Sequence, residues 1–428
     1  TTGPDTTTGG GEVVADMVVA TGERSCALGT TAADTSVVRC FGRGDRGGLG
    51  TAATQDVGDD ELPSSSVDVD VGAGVVGVSS GAVARHTCAV RDDAALVCWG
   101  ANDRGQLGYG HTQDVGDDEV PAQAGTVDVG DEVWLAAAGG AHTCVLGNAG
   151  VHCFGAGDRG QLGYAATADV GDDEAPSTAG TVALPEGIFQ LAAGEQHSCA
   201  ATFEGDVYCW GANDRGQLGY GHTEDVGDDE TPMVAGNVAV PMLAPPDLTF
   251  QSLVVGARHT CALSFAQEVY CWGANDRGQL GYGHTEDVGD DETPMAAGPV
   301  PLSGVAFGLV AGGDFTCAYV FDEQTQAEGL QCWGANDRGQ LGYGHTEDVG
   351  DDETPAEAGL VPLLGGAPAL MYGGKAHVCV VSGVGEVPPF CWGANDRGQL
   401  GVGDVMDRGG TPDTTPTDPA NVAFPKVW

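Results

Sequence analysis

The sequence predicts an all-β fold, a seven-bladed β-propeller of four-stranded antiparallel blades with one disulfide in each blade. Three observations support it: a repeat of 55 to 62 residues, seven consecutive cysteine pairs, and short apolar runs bounded by glycine. Repeats of this length are typical of propellers and solenoids, and runs this short form strands rather than helices. A closed propeller is favoured over an open solenoid because no repeat has the polar character of a terminal cap.

Each repeat is expected to supply four strands. The first is an apolar run before glycine, as in 133–140, and the second contains H-[ST]-C-A, as in 259–263. The third ends in C-W-G, as in 207–211, and the fourth follows a long constant loop, as in 237–240. Grouping each fourth strand with the next three would let the run 421–424 complete the first blade and close the ring.

The domain prediction is a flexible polar N-terminal segment, residues 1–11, followed by a single propeller over residues 12–428. The polar start TTGPDTTTGGG is consistent with a processed chain, and a lipid anchor upstream of residue 1 is one expectation. No stretch approaches 18 consecutive apolar residues, so no transmembrane segment is predicted.

The cysteines are expected to face each other across the second and third strands of each blade. Zinc is the alternative, but the local His-Cys-Cys set offers three ligands where a structural site needs four, and the first and sixth repeats lack the histidine. Disulfides favour an extracellular or cell-surface location, with the periplasm as the alternative. The predicted pairs are Cys26–Cys40, Cys88–Cys98, Cys144–Cys153, Cys199–Cys209, Cys261–Cys271, Cys317–Cys332 and Cys379–Cys391.

The charge excludes one class of function. With 62 acidic and 16 basic residues, the chain carries a formal net charge of −46. Such a chain repels the phosphates of nucleic acids and anionic lipids, so no nucleic-acid partner is expected. Adaptation to a saline exterior also explains many acids and few lysines, but it predicts evenly spread acids, whereas here they are concentrated in one loop.

That loop contains the motif D-V-G-D-D-E in six repeats, which amounts to 24 carboxylates. Ca²⁺ binds six to eight oxygen ligands and is the cofactor considered for the loop. A solvated turn, or pairing with the arginine of the constant N-D-R or G-D-R turn, is the alternative, although seven arginines cannot neutralise 24 acids. The candidate metal ligands are Asp114, Asp117, Asp118, Glu119, Asp225, Asp228, Asp229, Glu230, Asp287, Asp290, Asp291, Glu292, Asp348, Asp351, Asp352 and Glu353.

The loop varies less than the rest of the repeat. WGANDRGQLGYGHTEDVGDDETP recurs unchanged at 210–232, 272–294 and 333–355, while the hairpin turns between the paired cysteines differ. The loop therefore either wedges adjacent blades together or binds something repeatedly around the ring. Its G-Q-L-G part favours the wedge, because a leucine between glycines suits close packing between blades.

Five histidines share one repeat position: His86, His142, His197, His259 and His377. They either line a channel as ligands of a metal or an anion, or form hydrogen bonds with a neighbouring backbone. The sequence has no G-x-S-x-G, H-E-x-x-H or P-loop, and equivalent acids in every repeat do not define one active site. No enzymatic activity is predicted.

The pattern G-x-x-H-[ST]-C-A … V-Y-C-W-G-x-N-x-x-G-Q-L-G, clearest at 194–219 and 256–281, resembles the regulator of chromosome condensation repeat. The resemblance covers roughly residues 12–424 and implies a seven-bladed propeller. It does not imply one function, because members of the family include a nucleotide exchange factor, an extracellular β-lactamase inhibitor protein and bacterial surface proteins. The acidic, cysteine-paired character is similar to that of the secreted or surface bacterial members.

The predicted function is a non-enzymatic extracellular or cell-surface scaffold that presents repeated acidic, Ca²⁺-binding loops for protein interaction or self-assembly. One alternative is an inhibitor-type module that binds a protein through its variable hairpin turns. The other is a subunit of a surface polymer whose acidic loops meet a neighbour through cations.

Overall fold

The computed structural model describes residues 14–31, 35–79, 81–241, 252–322, 325–361, 363, 366–382 and 387–417. They form seven antiparallel sheets, each ordered first, second and third strand along the chain. The strands are β1 (Val14–Thr21), β2 (Arg24–Thr30), β3 (Ser36–Gly42), β4 (Val75–Val78), β5 (His86–Arg91), β6 (Leu96–Gly100), β7 (Val133–Ala138), β8 (His142–Gly147), β9 (Val151–Gly155), β10 (Ile188–Ala193), β11 (His197–Thr202), β12 (Val207–Gly211), β13 (Leu253–Val255), β14 (His259–Leu263), β15 (Val269–Gly273), β16 (Val305–Ala311), β17 (Phe315–Asp322), β18 (Ala327–Gly334), β19 (Pro368–Gly373), β20 (His377–Ser382) and β21 (Phe390–Gly393).

Four one-turn helices follow the acidic motifs. Each begins at a proline, whose fixed φ suits the first turn of a helix. They are α1 (Pro121–Ala124), α2 (Pro232–Ala235), α3 (Pro294–Ala297) and α4 (Pro355–Ala358). Among the described residues, no helix has the length and apolarity needed to cross a membrane.

The predicted cysteine pairing is confirmed. In β11 and β12, Cys199 lies directly opposite Cys209, so a single bond crosslinks the central pair of the hairpin. The same register brings together all seven predicted pairs, and each disulfide lies within one blade.

The blades have two distinct ends. One end carries the G-x-x-H turns before the second strands and the N-D-R turns after the third strands; we call it the loop face. In the fourth blade, His197 pairs with Gly211 at this end, and Val226 of the acidic motif bridges Gly211 there. The opposite end carries the hairpin turns between second and third strands, and we call it the turn face.

The prediction of four strands per blade is wrong for the described residues, which have three. The expected fourth segment does lie along the third strand, but Val238 N–H donates one backbone hydrogen bond to the Val207 carbonyl at 2.8 Å. A short segment anchored by one buried valine does not make the consecutive bonds that define a strand.

The grouping of outer segments is also corrected. Val69 N–H donates to the Val38 carbonyl at 2.8 Å, so the outer segment of the first blade comes from its own repeat. Residues 421–424, which were expected to fill that place, lie outside the described residues, as does the segment 1–11.

The ring closes through direct contacts between the last and first blades. Lys375 N–H donates to the Gly22 carbonyl at 2.7 Å, and Gly22 N–H donates to the Gly81 carbonyl of the second blade at 3.0 Å. Comparable bonds from Gly140 to Gly194 and from Gly313 to Lys375 continue the circle around the channel.

The core between blades is built on a large aromatic residue at the end of each third strand. The tryptophans at this position are fully buried, and Trp210 Nε1 donates to the Gln161 carbonyl of the preceding blade at 2.9 Å. Gly219 of the preceding G-Q-L-G segment packs on Trp272 of the next blade with a φ of +79°. A Cβ at Gly219 would lie 2.8 Å from both Trp272 Nε1 and Val238 Cγ1, so the blades approach at a distance that only glycine permits.

We therefore expect Gly219→Ala to destabilise the fold by about 1–3 kcal/mol, through overpacking as well as the strained φ. Gly236→Ala is the matched control, because Gly236 has a φ of +90° but a Cβ there would have no neighbour within 4 Å. The free energies of unfolding of both variants, measured with denaturant, separate the effect of the steric clash from the effect of backbone strain. Equal losses in the two variants would contradict close packing at Gly219.

Candidate functional site

The repeated loop binds each blade to the next through an arginine and an aspartate. Arg159, in the N-terminal part of one loop, donates from Nε to Asp225 Oδ2 at 2.5 Å and from Nη2 to Asp225 Oδ1 at 2.9 Å. Asp225 is the first residue of the next blade's acidic motif, and Asp214 of that blade lies 3.3 Å from Nη2. We call the pairing of the arginine with the first aspartate the interblade clasp.

The clasp occurs seven times and closes the ring. The pairs are Arg46–Asp114, Arg104–Asp169, Arg159–Asp225, Arg215–Asp287, Arg277–Asp348, Arg338–Asp407 and Arg397–Asp56. Pairing with the arginine was one of the alternatives open from the sequence, and the structure assigns it to the first aspartate of each motif.

Asp407 was missed because the seventh loop lacks the full acidic motif. The signal was present, however: the clasp aspartate always follows the buried aromatic residue by fifteen positions, as in Trp210 to Asp225 and Trp392 to Asp407. Spacing from the strand, rather than similarity of the motif, identifies the residue.

The buried asparagine of the N-D-R turn holds the loop in shape. Asn213 Nδ2 donates to the carbonyls of His222 and Glu224 at 2.7 and 2.9 Å, and Asn213 Oδ1 accepts from Leu218 N–H at 3.0 Å. Its backbone N–H also donates to Asp225 at 2.9 Å. The constant loop from the tryptophan to the clasp aspartate therefore serves contacts within and between blades, as the wedge interpretation predicts.

The last three acids of each motif form a separate group, which we call the acidic triad. In the first five motifs, one oxygen from each of the three carboxylates lies within 4.8 Å of the others. The predicted metal ligands therefore fall into two groups, one in the clasps and one in the triads. The clasps take Asp114, Asp225, Asp287 and Asp348, while the triads include Asp117, Asp118 and Glu119; Asp228, Asp229 and Glu230; and Asp290, Asp291 and Glu292. The sixth motif contributes Asp351, Asp352 and Glu353.

The glutamate of the triad has a raised pKa. Partial burial, a hydrogen bond with the neighbouring aspartate, and nearby negative charges raise the pKa of Glu230, Glu292 and Glu353 to about 7. A carboxylate in this position is stabilised by a shared proton or by a cation. Three hard oxygen ligands fit Ca²⁺, which would need further oxygens from carbonyls or water.

The five histidines join neighbouring blades. His197 Nε2 lies 3.1 Å from Thr260 Oγ1 of the next blade, and the Thr260 hydroxyl donates to the Gln217 carbonyl at 3.0 Å. Equivalent bonds join His86–Thr143, His142–Ser198, His259–Thr316 and His377–Ser25. All five histidines are fully buried, which disfavours the channel-ligand alternative, and their Nε2 atoms bond to side-chain hydroxyls of the next blade rather than to the backbone that was expected.

The turn face carries exposed apolar side chains. A β-bulge between Val133 and Leu135 directs Trp134 outward, and a bulge between Ala306 and Gly308 does the same for Phe307. Phe203 and Phe265 lie in hairpin turns, and the Phe203 ring contacts Phe189 with centroids 5.2 Å apart. The exposed fractions are 59% for Trp134, 65% for Phe203, 68% for Phe265 and 39% for Phe307.

Burial of the histidines predicts loss of stability in acid. Burial lowers the pKa of His197 to about 3, whereas the same residue in an unfolded chain titrates near ~6.5. Between these values the unfolded state binds more protons than the native state, so the free energy of unfolding falls as the pH falls through this window.

We expect His197→Gln to weaken that dependence, because glutamine keeps a donor for Thr260 but does not titrate. His222→Gln, at an exposed loop histidine, should leave the dependence as in the wild type. The raised pKa of Glu230 acts in the opposite direction between its unfolded value and about 7, and it is common to all three proteins. Urea unfolding at several pH values between 7 and 4 makes the comparison, and equal slopes for all three proteins would contradict the assignment.

Comparison with known proteins agrees with this architecture. Models of the regulator of chromosome condensation (RCC1) repeat match residues 75–106, 190–217 and 250–279, and also 95–146, 204–263 and 267–319. The ultraviolet-B receptor UVR8 of Arabidopsis thaliana is 30% identical over 81% of this chain and 70% of the receptor. Protein RCC2 of Mus musculus is 26% identical over 78% of this chain and 62% of RCC2.

Among solved structures, yeast RCC1 (Prp20) in its complex with Kap60 superposes with a TM-score of 0.63 and 18% identity. The match covers 98% of this chain and 90% of that one. Similarity to the secreted bacterial members stays a prediction, since these relatives are eukaryotic. The repeat matches, the plant relative and the seven-bladed ring together show that this chain belongs to the regulator of chromosome condensation repeat family.

Proposed function

We propose that this protein is a non-enzymatic scaffold that binds a protein partner through its turn face. The observation that carries the proposal is the set of exposed aromatic side chains Trp134, Phe203, Phe265 and Phe307 on variable turns and bulges. Large aromatic residues are the usual anchors of protein interfaces, where they fill pockets of the partner. The loop face uses most of its constant residues to hold the blades together, which leaves the variable turns free for recognition.

The charge around the aromatic residues indicates the kind of partner. The exposed Glu132 lies two residues before Trp134, and the exposed Glu204 directly follows Phe203. Exposed aromatic residues with acidic neighbours are complementary to a partner that offers apolar pockets flanked by basic residues. The related propeller Prp20, crystallised with Kap60, is an example of the fold in a protein complex.

The test is an affinity comparison with a partner identified by crosslinking in the native source. Trp134→Ala combined with Phe203→Ala should weaken binding at least about tenfold, since anchors of this type typically contribute about 2 kcal/mol or more. Met233→Ala combined with Met295→Ala is the control, because both methionines are exposed on one-turn helices rather than in hairpin turns or bulges. Equal affinity of the two double variants would overturn the turn-face proposal.

A second, independent proposal is that the acidic triads hold Ca²⁺. The supporting observation is the close approach of three carboxylate oxygens in each triad. At an effective dielectric of ~20, a like-charge pair ~5 Å apart costs roughly 3 kcal/mol before screening, and a divalent cation offsets this repulsion.

Chelation should therefore lower the melting temperature, and Ca²⁺ should restore it where Na⁺ at equal ionic strength does not. Replacing one triad by Asp228→Asn, Asp229→Asn and Glu230→Gln should reduce calorimetric Ca²⁺ uptake by one site while leaving the clasp at Asp225 intact. The seventh loop, 402–412, lacks the triad and supplies no site. No uptake at millimolar Ca²⁺ would overturn this proposal without affecting the first.

We further propose that the protein works outside the cytoplasm, at the cell surface or in a periplasm. Seven buried disulfides favour an oxidising compartment, because reducing cytoplasm does not maintain them. Self-assembly through cations bridging triads of neighbouring molecules is an alternative use of the same loops. A lipid anchor upstream of residue 1 stays a prediction.

A further inference from the structure

A cavity of about 670 Å³ lies at the mouth of the central channel on the loop face. Residues from the turns between the first and second strands of all seven blades line it. Its volume is in the range of sites that take small molecules. The cavity is separate from both the turn face and the acidic triads.

The cavity concentrates positive charge in an otherwise acidic protein. Six of the sixteen basic residues line it: Arg24, Arg43, Arg46, Arg85, Arg258 and Lys375. Four acids also line it, but two of them are neutralised locally. Arg43 binds Glu23 at 2.6 Å and Asp45 at 2.7 Å, and Lys375 binds Glu23 at 2.9 Å.

The other two acids offset the remaining charge less. Asp314 lies on the sixth blade and the exposed Glu195 on the fourth, so both are away from the first blade. Arg43 and Lys375 are taken up by these pairs, and Arg46 by its clasp with Asp114, which leaves Arg24 of the first blade and Arg85 of the second on adjacent blades at one side of the mouth.

Arg24 is the unusual residue of this site. It occupies the repeat position of the interblade histidines, two residues before the first cysteine, and is 3% exposed. Within the described part of the chain, its Nε and Nη1 atoms have no hydrogen-bond acceptor. Thr87 Oγ1 of the next blade, whose equivalents bind the histidine, also has no partner there. Burial lowers the pKa of Arg24 to about 10, which reflects a charge short of compensation.

A second departure from the repeat makes room for this guanidinium. Residue 48 is glycine, whereas the other six repeats have glutamine at this position. A Cβ at Gly48 would lie 3.0 Å from Arg24 Cζ and 3.2 Å from Nη2, so a glutamine there would crowd the arginine. The first blade thus gives up the interblade histidine bond and gains a buried cation at the cavity.

We propose that the channel mouth binds a small organic molecule through a carboxylate or phosphate group, with Arg24 as the main charge partner. A buried, unpaired cation is costly, and an oxyanion in the cavity would offset that cost. The planar guanidinium suits both groups, since it donates parallel hydrogen bonds to two oxygens. Arg85, on the same side, would add long-range attraction.

The test uses Arg24→His combined with Gly48→Gln. This double variant gives the first blade the histidine and glutamine that most other blades have at these positions, and it removes the buried charge. Calorimetry with inorganic phosphate and with citrate, at ionic strength matched with sodium chloride, should show saturable one-to-one binding to the wild type. Affinity should fall about tenfold or more in the double variant, as expected for loss of a charge-assisted bond. Arg91→Gln, which removes a positive charge at the turn-face end of β5, should bind as the wild type does.

The preference between phosphate and citrate distinguishes the two oxyanion groups. The double variant should also melt at a higher temperature than the wild type without anion, and anion should raise the melting temperature of the wild type alone. Equal binding by wild type and double variant, or no binding of either probe above chloride, would overturn the proposal. If the double variant fails to fold, Arg24→Gln provides the same comparison of affinity.

Discussion

Each blade of this propeller is held to the next by one arginine, and the rest of the structure depends on that contact. The arginine follows the third strand of one blade and binds the aspartate fifteen residues after the next blade's buried aromatic residue. Because seven such pairs form a circle, the last one, Arg397 with Asp56, joins blades that lie at opposite ends of the chain. A blade's own disulfide and hairpins give it shape, but they do not place it beside its neighbour.

The clasp works together with two shorter-range contacts at the same interface. Glycine packs against the next blade's aromatic ring, and a buried histidine bonds to the next blade's hydroxyl. The clasp, the glycine contact and the loop carbonyl that accepts from the next blade's hydroxyl, as Gln217 does from Thr260, account for the constancy of the loop from the tryptophan to the clasp aspartate. They do not account for the acidic triad, since the seventh blade forms its clasp through Asp407 without one.

The contacts that hold the ring together also indicate where a functional site can lie. Residues that join blades recur in all or most repeats, so a site specific to one place on the ring must break the repeat. The turn face does this through differing turns and bulges, and the channel mouth does it through Arg24 and Gly48 in the first blade. The triads do not break it, so any role they have is repeated around the ring.

Much of this architecture could be predicted from the sequence, and the failures have physical causes. Cysteine spacing defined the hairpin register, because Cys199 can reach Cys209 only if the strands pair directly opposite. The outer segments were overestimated as strands because an alternating run such as 237–240 carries the same pattern whether it makes one ladder bond or several. Asp225 could not be separated from Asp228 by composition, since only the three-dimensional position of Arg159 distinguishes them. Arg24 could be recognised only by aligning the first repeat with the others, and its lack of partners is a property of the folded interface.

The most direct test of the clasp is a double-mutant cycle at one interface. Arg215 binds Asp287 with two hydrogen bonds and approaches Asp276 at 3.5 Å, where the aspartate is half exposed. Unfolding free energies of Arg215→Gln with Asp287→Asn, singly and combined, should give a coupling energy of at least about 1 kcal/mol. The same cycle with Asp276→Asn should give less than about 0.5 kcal/mol, as expected for an exposed pair. Equal coupling in the two cycles, or none at Asp287, would contradict the account that this contact joins the blades.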